Sequence, residues 1–215
     1  PRAQCDRQHY SFNLRYILEN TPNLNIWQDT VVSFIFDNNS VTGVTTELGA
    51  TFSAKSVILT AGTFLNGKLF IGLHTAEGGR VGELPSLHLS EQLLSMGFLV
   101  EKMKTGTPPR IDARSVDLSK LEIQPGDSNP EKFSFLNIPS PIQGSVKQMS
   151  CYMVHTNSKV HDILKDGFEF SPLFSGKISG KGPRYCPSIE DKLRTFSDKN
   201  SHQLFLEPEG WNTNE

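Results

Sequence analysis

The sequence has 215 residues, with 21 Lys or Arg against 23 Asp or Glu, a formal charge of −2, and 36% hydrophobic and 9% aromatic residues. This composition excludes collagen, coiled coil and intrinsic disorder, and 17 Gly with 13 Pro is close to average usage, which excludes a low-complexity linker. No apolar run approaches the ~18 residues that cross a bilayer, so no membrane role is expected, and the length suits one domain or two small ones.

In chain order, residues 3–20 carry Phe12, Tyr16, Ile17 and Leu18 among polar residues at near-helical spacing, and Asn20-Thr21-Pro22-Asn23 stops them; this predicts a helix. Three β-rich runs follow at 24–27, 31–36 and 41–47, a small antiparallel meander whose last two strands are joined by Asp37-Asn38-Asn39-Ser40. After 52–55, the run Ser56-Val57-Ile58-Leu59-Thr60-Ala61-Gly62-Thr63 reads as a strand buried on both faces of a covered central sheet. Beyond Gly67, the glycines at 72, 78, 79 and 82 predict a loop, residues 86–96 a helix closed by Gly97, and 98–103 a strand. Residues 112–145 read as irregular, too long for an idle connection. Order returns with a strand at 149–154, a helix capped by Asn157 and ended after Lys165 by Gly167, a helix at 188–196 and a strand at 202–206.

The sharpest chemistry lies in Gly182-Pro183-Arg184-Tyr185-Cys186-Pro187-Ser188-Ile189-Glu190-Asp191-Lys192-Leu193-Arg194-Thr195-Phe196. Ile189, Leu193 and Phe196 share one helix face, and Pro187 suits a first helical position, which puts Cys186 at the N-cap. There the helix dipole and the Arg184 guanidinium both favour thiolate, the condition for a reactive cysteine, and the same N-terminus can seat a phosphate. An inert, packed cysteine fits the pattern equally well.

Lys102, Lys104, Arg110 and Arg114 surround a Gly-Thr-Pro-Pro turn and suit phosphates of a nucleotide or an RNA backbone, although a solvated loop reads as well. With a bulk charge of −2, any RNA contact must rest on such a local patch. Gly78-Gly79-Arg80 reads better as a turn than as a pyrophosphate seat. The histidines show no zinc spacing, so no metal site is expected, and neither a P-loop nor a G-x-G-x-x-G fingerprint is present. The odd set Cys5, Cys151 and Cys186 fits a reducing compartment, and with neither a leader nor a closing element the chain reads as a fragment.

Taken together, Arg2-Ala3-Gln4-x-Asp6-Arg7, Leu59-Thr60-Ala61-Gly62-Thr63-Phe64-Leu65, Gly78-Gly79-Arg80, residues 104–114, His155-Thr156-Asn157, residues 182–196 and His202-Gln203-Leu204-Phe205-Leu206-Glu207-Pro208-Glu209-Gly210 resemble, end to end, the GidA family, also called MnmG. These are FAD-dependent tRNA uridine 5-carboxymethylaminomethyl modification enzymes. The resemblance implies a middle slice of a longer α/β protein. Residues 1–103 would be the middle of a glutathione-reductase-like, Rossmann-type FAD domain with its β-meander, and 104–215 an inserted α+β NAD and substrate domain. It implies FAD contacts at Val31 and Ser86, NAD contacts along 182–196, and catalysis by Cys186, whose partner cysteine would lie upstream of Pro1. The implied reaction adds an aminomethyl or carboxymethylaminomethyl group to C5 of the wobble uridine of tRNA. Carbon would come from methylenetetrahydrofolate and electrons pass through FAD and NADH, with an MnmE-type GTPase as partner, a homodimer as the full-length form, and the bacterial cytoplasm or a mitochondrion as location. Rival readings are a folate- and FAD-dependent tRNA uridine-C5 methyltransferase, a small-molecule flavin oxidoreductase, and a fragment inactive alone.

Overall fold

A computed structural model describes residues 3–136, 148–178 and 188–215. The elements run α1 (Arg7–Glu19), β1 (Val31–Asp37), β2 (Ser40–Thr46), β3 (Thr51–Ser53), β4 (Lys68–Ile71), β5 (His74–Glu77), α2 (Leu89–Ser95), β6 (Glu122–Gln124), β7 (Cys151–His155), α3 (Ser158–Asp166), α4 (Ile189–Thr195) and β8 (Gln203–Leu206). The chain divides into two compact units. The first comprises Pro1–Asn25, Thr107–Lys165 and Ser188–Glu215; the second comprises Ile26–Gly106 and Asp166–Pro187.

The second unit is built on an antiparallel meander in the order β1-β2-β3. Val, Phe and Ile suit β1, and the hairpin to β2 closes between Asp37 and Ser40, where Asn38 takes φ 54°, a left-handed position that Asn tolerates. β2 meets β3 at Gly43, where any Cβ would fall 2.2 Å from the Phe52 carbonyl oxygen. A separate hairpin, β4-β5, turns at Gly72 with φ 55°. Helix α2 ends at Gly97, φ 88°, whose N–H donates to the Leu94 carbonyl while that of Phe98 reaches Leu93. Its Leu89 is 1% exposed and anchors the unit.

In the first unit, Asp6 caps α1 by accepting from the His9 N–H at 2.7 Å, and Thr21 Oγ1 donates to the Ile17 carbonyl at its end. No residue of α1 is buried. A three-stranded antiparallel sheet, order β6-β7-β8, pairs His155 with Gln203, and the ladder runs one step further through the Thr156 N–H to the His202 carbonyl, 2.9 Å. Asn157 Oδ1 accepts from the Val160 N–H, 3.0 Å, and so caps α3.

Six sequence expectations change. Residues 24–27 form no strand; the meander starts at β1 and finishes at β3, and Trp27 packs edge-to-face on Phe52 at 5.5 Å. Residues 56–61 are irregular and lead into a 3₁₀ turn at Gly62–Phe64, with Ile58 85% exposed. A strand exists only by pairing, and among the described residues this run has no ladder partner. Residues 98–103 likewise form no strand, with a single bridge residue at Met103. The loop expected from Gly67 onward contains the β4-β5 hairpin, and the irregular stretch from 112 holds two 3₁₀ turns and β6. Helix α4 begins after Ser188, not after Cys186.

Candidate functional site

β1 gives one edge to β2, and its other edge is closed by side chains of the second unit. Ser86 Oγ donates to the Val31 carbonyl at 3.1 Å. Three residues along β1, the Phe34 N–H donates to Gln92 Oε1 at 2.7 Å, and Gln92 Nε2 donates back to the Phe34 carbonyl at 2.9 Å. A primary amide presents a donor and an acceptor side by side, as a strand would, so α2 completes the edge without being a strand. Ser86 is itself held on both sides: its N–H donates to the Phe64 carbonyl at 2.9 Å and its carbonyl accepts from the Asn66 N–H at 2.8 Å. The two positions expected to touch FAD, Val31 and Ser86, are thus bonded to one another across 55 residues of sequence.

Around them the chain is tight. Thr63 Oγ1 donates to the Gly79 carbonyl at 2.9 Å, and a Cβ on Gly79 would fall 2.3 Å from the Phe64 ring. Arg80 pairs with Glu83 at 3.0 Å across a turn at 80–83, directly after Gly78 and Gly79, whereas the sequence reading places the turn at 78–80.

In the first unit the expected NAD segment is described only from Ser188 to Phe196; Gly182, Pro183, Arg184, Tyr185, Cys186 and Pro187 lie outside the described residues. The cap expected of Cys186 belongs to Ser188, whose Oγ accepts from the Asp191 N–H at 3.3 Å, and Pro187 is therefore not the first helical residue. Ser188 with Asp191 three positions on forms a capping pair that outcompetes the Cys-Pro start. Of the expected apolar face, Leu193 is 3% exposed and Ile189 is half-buried, whereas Phe196, past the last turn, is exposed beneath the Lys199 ammonium, 5.1 Å from its ring centre. Glu190 and Asp191 sit in the first turn, where the dipole favours them, and Arg194 returns to Asp191 at 3.1 Å. Lys192 Nζ donates to the Gln203 carbonyl at 3.1 Å, tying α4 to β8.

Beside that tie lies a buried polar cluster of Thr156, His161 and His202. Thr156 Oγ1 accepts from the His202 N–H at 2.8 Å and meets His161 Nε2 at 2.7 Å, and the two imidazoles stack with centroids 5.2 Å apart. Burial, then the neighbouring His161, Lys192 and Lys199, hold the His202 imidazole below its ordinary range.

The four expected RNA-binding cations divide between the two units. Lys102 and Lys104 belong to the second unit, Arg110 and Arg114 to the first. Lys102 is exposed and Lys104 half-buried. Arg110 pairs with Glu209, which also takes Arg7 at 3.2 Å, and Arg114 grips Asp112 at 2.6 Å, holding that carboxyl below the usual carboxylate range. The Arg7 backbone N–H donates to the Glu209 carbonyl, and the Trp211 N–H donates to Asp6. The motifs around Asp6, Arg110 and Glu209, read separately in sequence, therefore converge in one clasp. Among the described residues no group of three or more His, Cys, Asp or Glu could hold a metal ion, and no helix is long and apolar enough to cross a membrane.

Sequence reasoning missed Gln92, Glu209, His161 and His202. Only the motif containing His202 and Glu209 carried a signal, as one of the landmarks of the resemblance.

Residues 1–215 match the sequence model of "glucose inhibited division protein A". Among named relatives, the tRNA uridine 5-carboxymethylaminomethyl modification enzyme MnmG of Flavobacterium psychrophilum is 51% identical over 99% of this chain, and that of Phocaeicola vulgatus 53% identical over all of it. In both cases the chain spans 34% of the relative's length. The crystal structure of Aquifex aeolicus GidA superposes with a TM-score of 0.86 at 44% identity, covering 99% of this chain and 36% of that one. That agreement makes the fold α/β, that of the corresponding part of a protein with a Rossmann-type FAD domain.

Proposed function

The chain belongs to the glucose inhibited division protein A (GidA) family, and from that premise we propose that its full-length protein is an FAD-dependent enzyme that modifies C5 of the wobble uridine of tRNA. The added group is aminomethyl or carboxymethylaminomethyl, with methylenetetrahydrofolate as carbon donor, an MnmE-type GTPase as partner and a homodimer as working form. It acts in the bacterial cytoplasm or, in a eukaryote, in the mitochondrion. Residues 1–103 are the middle of the FAD domain and 104–215 the inserted NAD and substrate domain. The observation that carries the reading is the Ser86–Val31 hydrogen bond, 3.1 Å: two positions chosen by resemblance and far apart in sequence make one edge.

FAD and NADH supply electron transfer when bound. Val31 and Ser86 suit a flavin nucleotide because both are small side chains on backbone held in place, Val31 by the Ser86 hydroxyl and the neighbouring strand residue Phe34 by Gln92. Residues 182–196 hold NADH, with α4 tied to β8 through Lys192. Cys186 attacks C6 of uracil as thiolate; the resulting enolate makes C5 nucleophilic toward an electrophilic carbon, and loss of the C5 proton then expels the thiolate. Because Arg110 and Arg114 already hold carboxylates, Lys102 and Lys104, which pair with no carboxylate among the described residues, are the two of the four that meet RNA phosphates.

Complementation of a strain lacking the wobble modification tests this reading. The full-length protein is expected to restore the modified nucleoside by mass spectrometry, and Cys186→Ser to lower it at least ~100-fold. Full restoration by Cys186→Ser overturns the thiolate role, and no restoration by the parent overturns the activity.

A further inference from the structure

Unit one buries little apolar surface. Leu193 is its one buried hydrophobic residue among those described, and Thr156, His161 and His202 are buried beside it. The hydrogen bonds of the cluster are limited by protons. Thr156 Oγ1 already accepts from the His202 N–H at 2.8 Å, and its single proton can go to His161 Nε2 at 2.7 Å or to the His202 carbonyl at 3.3 Å. His161 Nε2 thus has the Thr156 hydroxyl as its hydrogen-bond partner. The ring of His202 has no such partner at Nε2: the residue is 7% exposed, and that nitrogen is buried with no hydrogen-bond partner among the described residues.

The charged groups facing His202 make a proton there still less welcome. His161 of α3 stacks on it, Lys192 of α4 and Lys199 of the following turn are cationic, and only Asp198 acts in the opposite sense. His202 directly precedes Gln203, whose carbonyl holds the Lys192 ammonium at 3.1 Å. The start of β8 is thus pinned from behind by the imidazole pair and holds α4 in front.

We propose that His202, backed by His161 and Thr156, is a positioning residue for α4, holding the 188–196 part of the NADH segment against β8 while its imidazole is neutral and releasing it when the ring takes a proton. The inference rests on the reading of 182–196 as the NADH segment. Its sign follows from the geometry. The folded form rejects a proton that the opened form accepts, so the pinning is at full strength above the ordinary imidazole value of ~6.5 and weakens progressively as pH falls below it toward the lowered folded value.

The test uses the full-length holoenzyme and His202→Gln, which removes the titration and keeps a neutral polar side chain. Hydrogen exchange in peptides covering α4 and β8, corrected for intrinsic rates, is followed from about pH 8 to about pH 5.5, alongside KM and kcat for NADH. Wild type is expected to lose roughly tenfold in protection per pH unit below the transition, with KM for NADH rising in parallel and kcat changing less than about twofold. In His202→Gln both profiles should be flat. Unchanged wild-type protection down to about pH 5.5, or the same acid loss in His202→Gln, overturns the proposal. Should His202→Gln not fold, the wild-type ring decides by NMR: a His202 that titrates while α4 stays protected overturns it, and one that titrates together with α4 opening supports it. Absence of NADH protection over 188–196 at about pH 8 overturns the NADH reading, while the ligand-free exchange profile still decides the pin.

Discussion

At the outer edge of β1, Ser86 and Gln92 hold Val31 and Phe34 through neutral hydroxyl and amide groups; at β8, stacked imidazoles and a lysine hold α4. Ser86 and Gln92 reach β1 across 55 and 58 residues, and His202 reaches Thr156 across 46, whereas the Lys192 tie to Gln203 spans only 11. The two devices differ in what can undo them. The amide of Gln92 does not titrate, so the β1 edge is constant across physiological pH, whereas the β8 pin depends on a ring that must stay uncharged.

The largest effect that breaks this contrast is expected at Gln92. Gln92→Leu leaves the N–H and C=O of Phe34 unpaired in a half-buried place, a cost of about 2 kcal/mol read by hydrogen exchange of β1, with FAD affinity in the full-length protein lowered roughly tenfold. Gln92→Glu sharpens the point by making the β1 edge titratable. Its carboxyl must be protonated to donate to the Phe34 carbonyl, so its pKa is raised on folding. Its stabilisation is complete below the ordinary Glu value of ~4.3 and is lost as pH rises through the raised one, opposite in sign to His202. Ser86→Ala removes a single hydrogen bond to Val31 and is expected to cost about 1 kcal/mol by the same exchange measurement, independent of pH.

How far the sequence reached depends on distance. The Asp37-Asn38-Asn39-Ser40 hairpin, the Gly97 stop of α2, the Asn157 cap of α3 and the β8 run were readable because each signal sits within a few residues of its effect. The strands expected at 24–27, 56–63 and 98–103 failed because an apolar run shows only that burial is wanted, not what it pairs with. Gln92 looked like one more polar helix residue, since its partner lies 58 residues away, and His202 likewise bonds Thr156 across 46. The start of α4 was legible in Ser188 and Asp191, but the more conspicuous Cys186-Pro187 drew the reading two residues upstream. Arg110 and Arg114 looked free because their carboxylates, Glu209 and Asp112, could not be assigned from spacing alone.

The smallest effects are expected on the surface. Lys102→Ala and Lys104→Ala should each weaken tRNA binding uniformly across sequences and reduce the slope of log affinity against log salt by about 1, in filter binding at several ionic strengths. Arg114→Ala, whose guanidinium is engaged by Asp112, should leave that slope unchanged.

The most direct measurement is hydrogen exchange of the full-length protein with FAD and NADH added separately at about pH 8. Two nucleotide sites on two devices predict that FAD slows exchange over 31–37 and 86–95 alone, and that NADH slows it over 188–196 alone. FAD binding that leaves 31–37 and 86–95 unchanged would contradict the assignment of Val31 and Ser86 to the flavin nucleotide.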